Sequence, residues 1–293
     1  MTRKTNSIRN DVSSQFLNIG CGRRYHPDWT NLDLETNDPN VIRHDIVKGV
    51  PFDESKFEVV YHSHVLEHLH PDQGRKLIEE CFRVLVPGGV LRVVVPDLER
   101  IAQLYLETHQ RAWSGDIASS VDYNWMKLEL LDQMVRGESG GRMGKYMANG
   151  EIKNSEFVRS RVGDEFSVCR AQPDTEPRIQ SFGEKLAKLT FGWRRQLACR
   201  VVRWMLGQRA MSAFEEGLFR SQGEIHRWMY DRYSLRDLCQ NAGFVNFQVC
   251  RADESRIEGY PVFELDAVDG QARKPDSIFV ECEKPTACAA KAA

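Results

Sequence analysis

The sequence lacks several features that would place it in a specialised class of proteins. Its 293 residues carry a formal charge of −2, so no basic excess favours binding to nucleic acid. No run of about 18 apolar residues is present to cross a bilayer, and residues 1–9 lack the apolar core of a secretory signal. The eight cysteines include no Cys-x-x-Cys pair, which is typical of reduced thiols. These absences predict a cytoplasmic protein, and its 41% hydrophobic residues are enough to bury a core.

An apolar run that breaks into Gly-x-Gly is the most informative pattern that is present. Residues 16–22 read Phe-Leu-Asn-Ile-Gly-Cys-Gly, which predicts a buried strand followed by a turn. Glycine accepts a positive φ and has no Cβ, so a ligand can lie against the main chain at the carboxyl edge of a sheet. A plain tight turn would leave the same pattern. The residues that follow must therefore decide between a binding turn and a structural one.

Strands and acidic residues alternate after this turn. The predicted elements are strands at 29–35, 41–46, 57–61 and 90–96, and a helix over 72–86. Carboxylates fall near the ends of the first two strands, at Asp33 and Asp45, where a doubly wound sheet offers an acid to ribose hydroxyls. Pro87-Gly88-Gly89 is predicted to stop the helix, and the strand after it is apolar enough for a buried parallel position.

In this order the motifs resemble those of the class I S-adenosylmethionine-dependent methyltransferases, of the type 11 kind. The matching segments are 17–22, 31–33, 44–45, 51–53, 57–60, 64–68 and 83–91, and residues 233–244 resemble the last helix of that fold and its exit into the closing strands. The resemblance implies an α/β fold with a Rossmann-like, doubly wound, mostly parallel seven-stranded sheet and a helical insertion. It also implies S-adenosyl-L-methionine as the cofactor and, in many such proteins, an acceptor among cell-surface glycans.

The resemblance assigns cofactor contacts as well. The glycine turn would lie beside the methionine part of the cofactor, and Asp33 would hold the ribose. Residues 45 and 46 would flank the adenine, and residues 62 and 63 would close the pocket. The full set of implied contacts is Asn18, Gly20, Cys21, Gly22, Asp33, Leu34, Asp45, Ile46, His62 and Ser63.

Two departures from the family pattern concern the turn itself. Asn18 and Arg24 stand where the family usually has an acidic residue and a third glycine. Only residues 23–29 separate the turn from the second strand, so the crossover helix is expected to be short or missing, because parallel strands usually need a longer connection. Arg23 or Arg24 could then replace the helix N-terminus as the counter-charge for the cofactor carboxylate. A solvated loop is the alternative.

Histidines are concentrated after the fourth predicted strand, at positions 62, 64, 68 and 70. Their spacing is similar to the start of a two-zinc hydrolase motif, but the Asp-His pair expected next is absent, so no metal site is predicted. His64 and His226 are the catalytic candidates, because a general base at a strand end could face the cleft. Packing or capping roles are the alternative, since methyl transfer to an acidic acceptor needs no base.

The chain divides into five predicted parts. These are a flexible arm at 1–14, a cofactor-binding core at 15–110, a helical insertion or acceptor lid at 111–225, a return to the sheet at 226–285 and a tail at 286–293. The insertion contains a clear helix at 125–135 and breaks at 137–144 and 173–177, and the return is expected to hold a helix ending near Gly243 and strands at 245–251 and 277–283.

One segment of the insertion, residues 183–211, has a basic amphipathic pattern. Leu186, Leu189, Trp193, Leu197, Val201 and Trp204 share one helical stripe, and Lys185, Lys188, Arg195 and Arg203 lie largely opposite. Such a helix can rest on anionic lipid, which would give peripheral membrane contact through residues 183–211. The pattern is more often that of a lid helix packed on its own domain.

The function predicted from these features is methyl transfer from S-adenosylmethionine to an acceptor oxygen or nitrogen, such as a sugar hydroxyl of a glycan or glycolipid, without a nucleic-acid partner. A non-catalytic protein that binds the cofactor or a nucleotide would have the same core. An NAD-dependent dehydrogenase ranks lower, because Tyr25 stands where the G-x-G-x-x-G pattern requires its third glycine. A zinc hydrolase is disfavoured by its incomplete motif.

Overall fold

The protein is described here by a computed structural model, which covers residues 15–170 and 182–286; the side chains of residues 182–192, 194 and 195 are not described. The predicted arm, the break at 173–177 and nearly all of the predicted tail lie outside the described residues. The chain forms two compact units. The sheet unit contains residues 15–106, 160–163 and 227–286, and the helical unit contains residues 107–159, 164–170 and 182–226.

The sheet unit is built on seven strands. They are β1 (Phe16–Ile19), β2 (Thr30–Asp33), β3 (Val41–Arg43), β4 (Phe57–Ser63), β5 (Leu85–Pro96), β6 (Val245–Cys250) and β9 (Ser277–Glu283), in the spatial order β3-β2-β1-β4-β5-β9-β6. The pairings from β3 to β5 are parallel, and β9 is antiparallel to both of its neighbours. This arrangement confirms the predicted mostly parallel, seven-stranded Rossmann-like fold. A separate hairpin pairs β7 (Ala267–Val268) with β8 (Gln271–Ala272).

The parallel pairing of β1 with β2 is made without a crossover helix, as the short spacing predicts. Residues 20–29 between the two strands contain only turns and irregular backbone. The carboxyl ends of β1, β2 and β4 therefore lie at one edge with little backbone above them. Two predicted boundaries were wrong: the helix α1 (Pro71–Val84) ends two residues before the predicted Val86, and β5 begins at Leu85 rather than at Val90. Pro87, Gly88 and Gly89 thus lie within β5, at its more exposed amino end.

The two faces of the sheet are covered differently. On one face, apolar residues of α1 and of α8 (Arg232–Asn241), such as Ile78 and Leu235, pack against strand residues including Leu17 and Val93. On the other face, an aromatic cluster is formed by Trp29, Tyr61, Tyr260, Phe263 and Phe279, with ring contacts among its members. Tyr260 and Phe263 belong to the segment between β6 and β9, so that segment covers part of this face of the sheet.

A buried ionic network fixes that segment. Arg92 of β5 is completely buried, and its guanidinium donates to Asp266 and to Glu281 at 2.7 Å each. Asp266 also accepts hydrogen bonds from the hydroxyls of Tyr61 at 2.6 Å and Tyr260 at 2.8 Å. A buried charge is tolerated only when it is paired and hydrogen-bonded. The sequence pattern of β5, apolar except for this arginine, does not reveal the network.

The helical unit is formed mainly by helices between residues 107 and 226. Its helices are α3 (Ile117–Val135), α4 (Gly141–Ala148), α6 (Asp164–Arg170) and α7 (Phe182–Arg220), with α2 (Leu98–Trp113) and α5 (Ser155–Val162) belonging partly to each unit. Gly141, inside a predicted break, is the first residue of α4. In α7, Trp193 and Trp204 are 64% and 85% exposed within this structure. None of the described helices is both long and apolar enough to cross a membrane.

Candidate functional site

The glycine turn after β1 is held by hydrogen bonds to β2. The amides of Gly20 and Cys21 both donate to the carbonyl of Leu32, at 2.8 and 3.0 Å. The amide of Gly22 donates to the Asp33 carboxylate at 2.7 Å. The turn is thus pre-organised, but these three N–H groups are already occupied. A ligand above the turn would meet the Cα face of the glycines rather than unsatisfied amides.

The two glycines of the turn are required for different reasons. Both have a positive φ, +67° for Gly20 and +56° for Gly22, which L-residues with a side chain rarely adopt. A Cβ on Gly20 would lie 2.3 Å from Cγ2 of Val65, whereas a Cβ on Gly22 would meet nothing within 4 Å. Gly20 therefore makes room for the protein's own core, and Gly22 leaves open space for a ligand.

A cavity of about 230 Å³ opens beside this turn, entirely within the sheet unit. It is lined by the predicted residues Asn18, Gly20, Cys21, Gly22, Arg23, Arg24, Ser63 and His64, and by Tyr61, Val94, Leu265, Asp266, Arg273, Lys274 and Phe279, which were not predicted. Four of these residues are arginine or lysine. Burial raises the pKa of the Cys21 thiol to about 12, and the nearby Asp33 adds to the shift. That thiol stays protonated at neutral pH and is not a nucleophile.

His64 is the most constrained side chain of the cavity. Its φ of 54° is unusual for a residue other than glycine, and such positions are found preferentially at functional sites. The ring nitrogen Nδ1 lies 2.9 Å from Oε1 of the buried Glu67, and Nε2 lies 3.0 Å from Oγ of Ser277. The Glu67 carboxylate favours a proton on Nδ1 of a neutral ring, which leaves Nε2 as the acceptor nitrogen. This is the arrangement of an oriented base.

His62 is placed differently from its neighbour two residues later. Its side chain is 0% exposed and does not line the cavity. Burial lowers the pKa of His62 to about 4, against a smaller opposing effect of Glu67. The ring is therefore neutral at physiological pH, and contact with a cofactor would require its neighbours to move. The predicted role of His62 in closing the cofactor pocket is not supported by this position.

The remaining predicted contacts lie at the carboxyl ends of β2 and β3. Asp33 accepts from the amides of Gly22 and Glu35, at 2.7 and 3.0 Å, and a carboxylate has further acceptor sites for ribose hydroxyls. Leu34 is 53% exposed. Asp45 accepts from the Val47 amide at 3.2 Å and so begins the short 3₁₀-helix Ile46–Lys48. His226 is buried in the helical unit, where its amide donates to the carbonyl of Gln133.

Comparison with known proteins adds independent evidence for the family. Residues 11–93 match the family model described as "Methyltransferase domain". The chain is 43% identical over 98 residues to a protein of Mycolicibacterium smegmatis named "Probable S-adenosylmethionine-dependent methyltransferase". That match covers 28% of this chain and 37% of the relative, so the chain spans little more than a third of its length.

Residues 11–93, which include β1 to β4, therefore match the methyltransferase domain of this family.

Solved structures with low sequence identity are also similar. A SAM-dependent methyltransferase from Archaeoglobus fulgidus aligns over 92% of this chain and 85% of its own, at 10% identity and a TM-score of 0.35. The 1,6-didemethyltoxoflavin-N1-methyltransferase of Burkholderia thailandensis, solved with S-adenosylhomocysteine, aligns over 28% of this chain and 44% of its own, at 20% identity and a TM-score of 0.25.

S-adenosylmethionine is the cofactor of this methyltransferase domain family, and the residues present fit it. Gly22 leaves open space where a Cβ would point, and its amide donates to Asp33, the acid that the sequence predicts for the ribose. Arg23 and Arg24 line the same cavity, where the absent crossover helix would otherwise have offered its N-terminus to a carboxylate.

The sequence reasoning missed Glu67, Ser277 and the basic pair Arg273 and Lys274. A signal for Glu67 was present, because it follows His64 at three residues' spacing in the matched motif. The other three residues come from the far end of the chain. They reach the cavity only because β9 inserts beside β5, which the local pattern does not specify.

Proposed function

We propose that this protein transfers a methyl group from S-adenosylmethionine to an acceptor oxygen or nitrogen, with His64 as general base. The observation that carries the proposal is the presence of Gly22 and His64 in one cavity, with His64 held between Glu67 and Ser277. The side of the cavity with Gly22 can receive the cofactor. The side with His64 presents the ring nitrogen Nε2, which can take up a proton.

The residues of the cavity would mainly position the reactants. When bound, S-adenosylmethionine supplies a methyl group that its sulfonium has already activated. The protein then has to hold the acceptor close to that methyl group with the right alignment, which accounts for a large part of the rate in such reactions. Nε2 of His64 would take the acceptor proton, directly or through the Ser277 hydroxyl. Glu67 would stabilise the imidazolium that forms and would keep the ring in place.

The charge of the cavity indicates which acceptors fit. Arg23, Arg24, Arg273 and Lys274 line it. Arg273 also donates to the carbonyl of Leu265 at 2.8 Å, and the carboxylate of Asp266 is paired with Arg92. One basic residue suffices for the carboxylate of the cofactor, and cationic side chains recognise carboxylate and phosphate groups well. We therefore extend the proposal to a sugar hydroxyl on an acceptor that bears such an acidic group, as an anionic glycan or a phosphorylated glycolipid does. Placement in the cytoplasm remains a proposal drawn from the sequence.

Transfer of radiolabelled methyl groups to a panel of acceptors tests the proposal. The panel should pair each neutral sugar with its uronate or phosphate and should include glycolipids and phenols. We expect product with acidic sugars, and we expect His64→Ala to lower turnover about 10²- to 10⁴-fold with little change in cofactor affinity. The exposed His109 offers a matched control, since His109→Ala should behave like wild type.

Further variants separate orientation from base chemistry and charge. Glu67→Gln should lower turnover and shift its pH profile, because the imidazolium loses its anionic partner. Lys274→Ala should raise the KM for acidic acceptors only, and the exposed Lys76 of α1 is the matched control. Full turnover in His64→Ala would show that positioning alone drives the transfer. Cofactor binding without product from any acceptor would favour a non-catalytic binding protein.

A further inference from the structure

The first part of the helix α7 ends in an exposed apolar segment, residues 204–206, which is called the tip below. The helix is interrupted at Gly207, whose φ of 80° and ψ of −179° are not helical. The three residues before this interruption are Trp204, Met205 and Leu206, and they are 85%, 64% and 69% exposed. Three consecutive exposed apolar side chains at a bend are costly in water, so they indicate a partner.

An apolar groove continues from this tip along the first part of the helix. Trp193, Leu197, Val201 and Val202 line it, and Phe214, beyond the interruption, forms its far wall. Leu197 and Val201 are 47% and 44% exposed. These residues of the predicted stripe therefore keep much of their surface exposed in this structure. The predicted stripe residues Leu186 and Leu189 have no described side chains.

Basic residues predominate along this part of the chain. Residues 185–214 include seven basic and no acidic residues, with Glu184, Glu215 and Glu216 at the two borders, although the whole chain has a formal charge of −2. Among the residues nearest the tip, Arg200, Arg203 and Arg209 are exposed. A helix that combines exposed tryptophan and aliphatic residues with arginines is suited to the interface of an anionic bilayer. Nucleic acid would be attracted by the arginines but would not bury the aliphatic side chains at the bend.

We propose that α7 attaches the protein to an anionic membrane surface, with residues 204–206 inserted among the lipid headgroups and the arginines paired with lipid phosphates. The attachment is peripheral, because the apolar segment is short and ends at Gly207. This inference is independent of the proposed methyl transfer. It concerns residues of the helical unit alone.

Co-sedimentation of the full chain with vesicles tests the attachment. We expect binding to vesicles of phosphatidylcholine with 30% phosphatidylglycerol, at least tenfold weaker binding to pure phosphatidylcholine, and weakening when salt is raised from about 0.1 to 0.5 M. Joint replacement of Trp204, Met205 and Leu206 by Ser should lower the partition coefficient at least tenfold. The thermal unfolding midpoint should stay unchanged, because these side chains are exposed.

A matched control is available in the same unit. Trp113 is 87% exposed and lies outside α7, so Trp113→Ser should bind vesicles like wild type. The emission of Trp204, taken as the difference between wild type and Trp204→Phe, should shift to the blue with anionic vesicles. No binding to anionic vesicles, or equal binding by the triple variant, would overturn the proposal. Concentration-dependent dimerisation that the triple variant abolishes, or tight binding to an RNA oligonucleotide without vesicle binding, would do so as well.

Discussion

Substitution of the two glycines of the turn should have different effects: one should mainly lower the free energy of unfolding, and the other should mainly weaken cofactor binding. Gly20→Ala and Gly22→Ala each force an alanine into the left-handed region, which costs about 1–2 kcal/mol. Only the first also places a Cβ 2.3 Å from Cγ2 of Val65. Val65 belongs to the buried core and is stiff at χ1, so the overlap adds about 1–3 kcal/mol. We expect the free energy of unfolding to fall by about 2–5 kcal/mol in Gly20→Ala and by about 1–2 kcal/mol in Gly22→Ala.

Urea denaturation and cofactor binding together measure this difference. The double variant Gly20→Ala/Val65→Ala removes the overlapping methyl groups, so its loss of stability should be smaller than the sum of the two single losses by about 1–3 kcal/mol. Binding should follow the opposite order. Gly22→Ala places its methyl group in the open space beside the cavity and should weaken binding of S-adenosylhomocysteine. Equal stability of the two single variants, or additivity in the double variant, would refute the assignment of Gly20 to the core.

Three further predictions follow from the sheet unit. Burial lowers the pKa of His62 to about 4, so as the pH drops the unfolded chain takes up a proton on this ring before the folded chain does. The free energy of unfolding should therefore fall by on the order of 3 kcal/mol between about pH 6.5 and pH 4. Urea denaturation across this range should show a smaller fall in His62→Gln. Arg92→Met leaves the buried Asp266 and Glu281 without their partner, and a loss of about 3–5 kcal/mol is expected by the same method; a loss below 1 kcal/mol would contradict the network's role. Asp33→Ala should weaken cofactor binding by about 1.5–3 kcal/mol in calorimetry, and wild-type affinity would exclude it as the ribose acid.

Much of the fold could be predicted because the signals are local. Ser277–Glu283 has an apolar centre and is bounded by charged residues, and the predicted strand agrees with the observed one. The short spacing after Gly22 correctly indicates that no crossover helix precedes β2. The predicted start of β5 was wrong for a physical reason. Pro and Gly usually break elements, but here they lie at the exposed end of a long strand where one missing donor is tolerated.

The site was predictable only in part, because it depends on pairings across the chain. The pleat of β4 sends His62 into the core, and the turn that follows brings His64 to the cavity. A positive φ at His64 cannot be read from its residue type. Ser277 and Lys274 join the site through the insertion of β9 beside β5. Whether His226 faces the same cleft as His64 stays a prediction.

Isothermal titration of the protein with S-adenosylhomocysteine decides whether it binds the cofactor of a methyltransferase. We expect one site per chain with an affinity on the micromolar scale, reduced in Asp33→Ala and in Gly22→Ala and unchanged in His109→Ala. The absence of heat with both S-adenosylhomocysteine and S-adenosylmethionine, together with a response to a nicotinamide cofactor, would contradict this expectation.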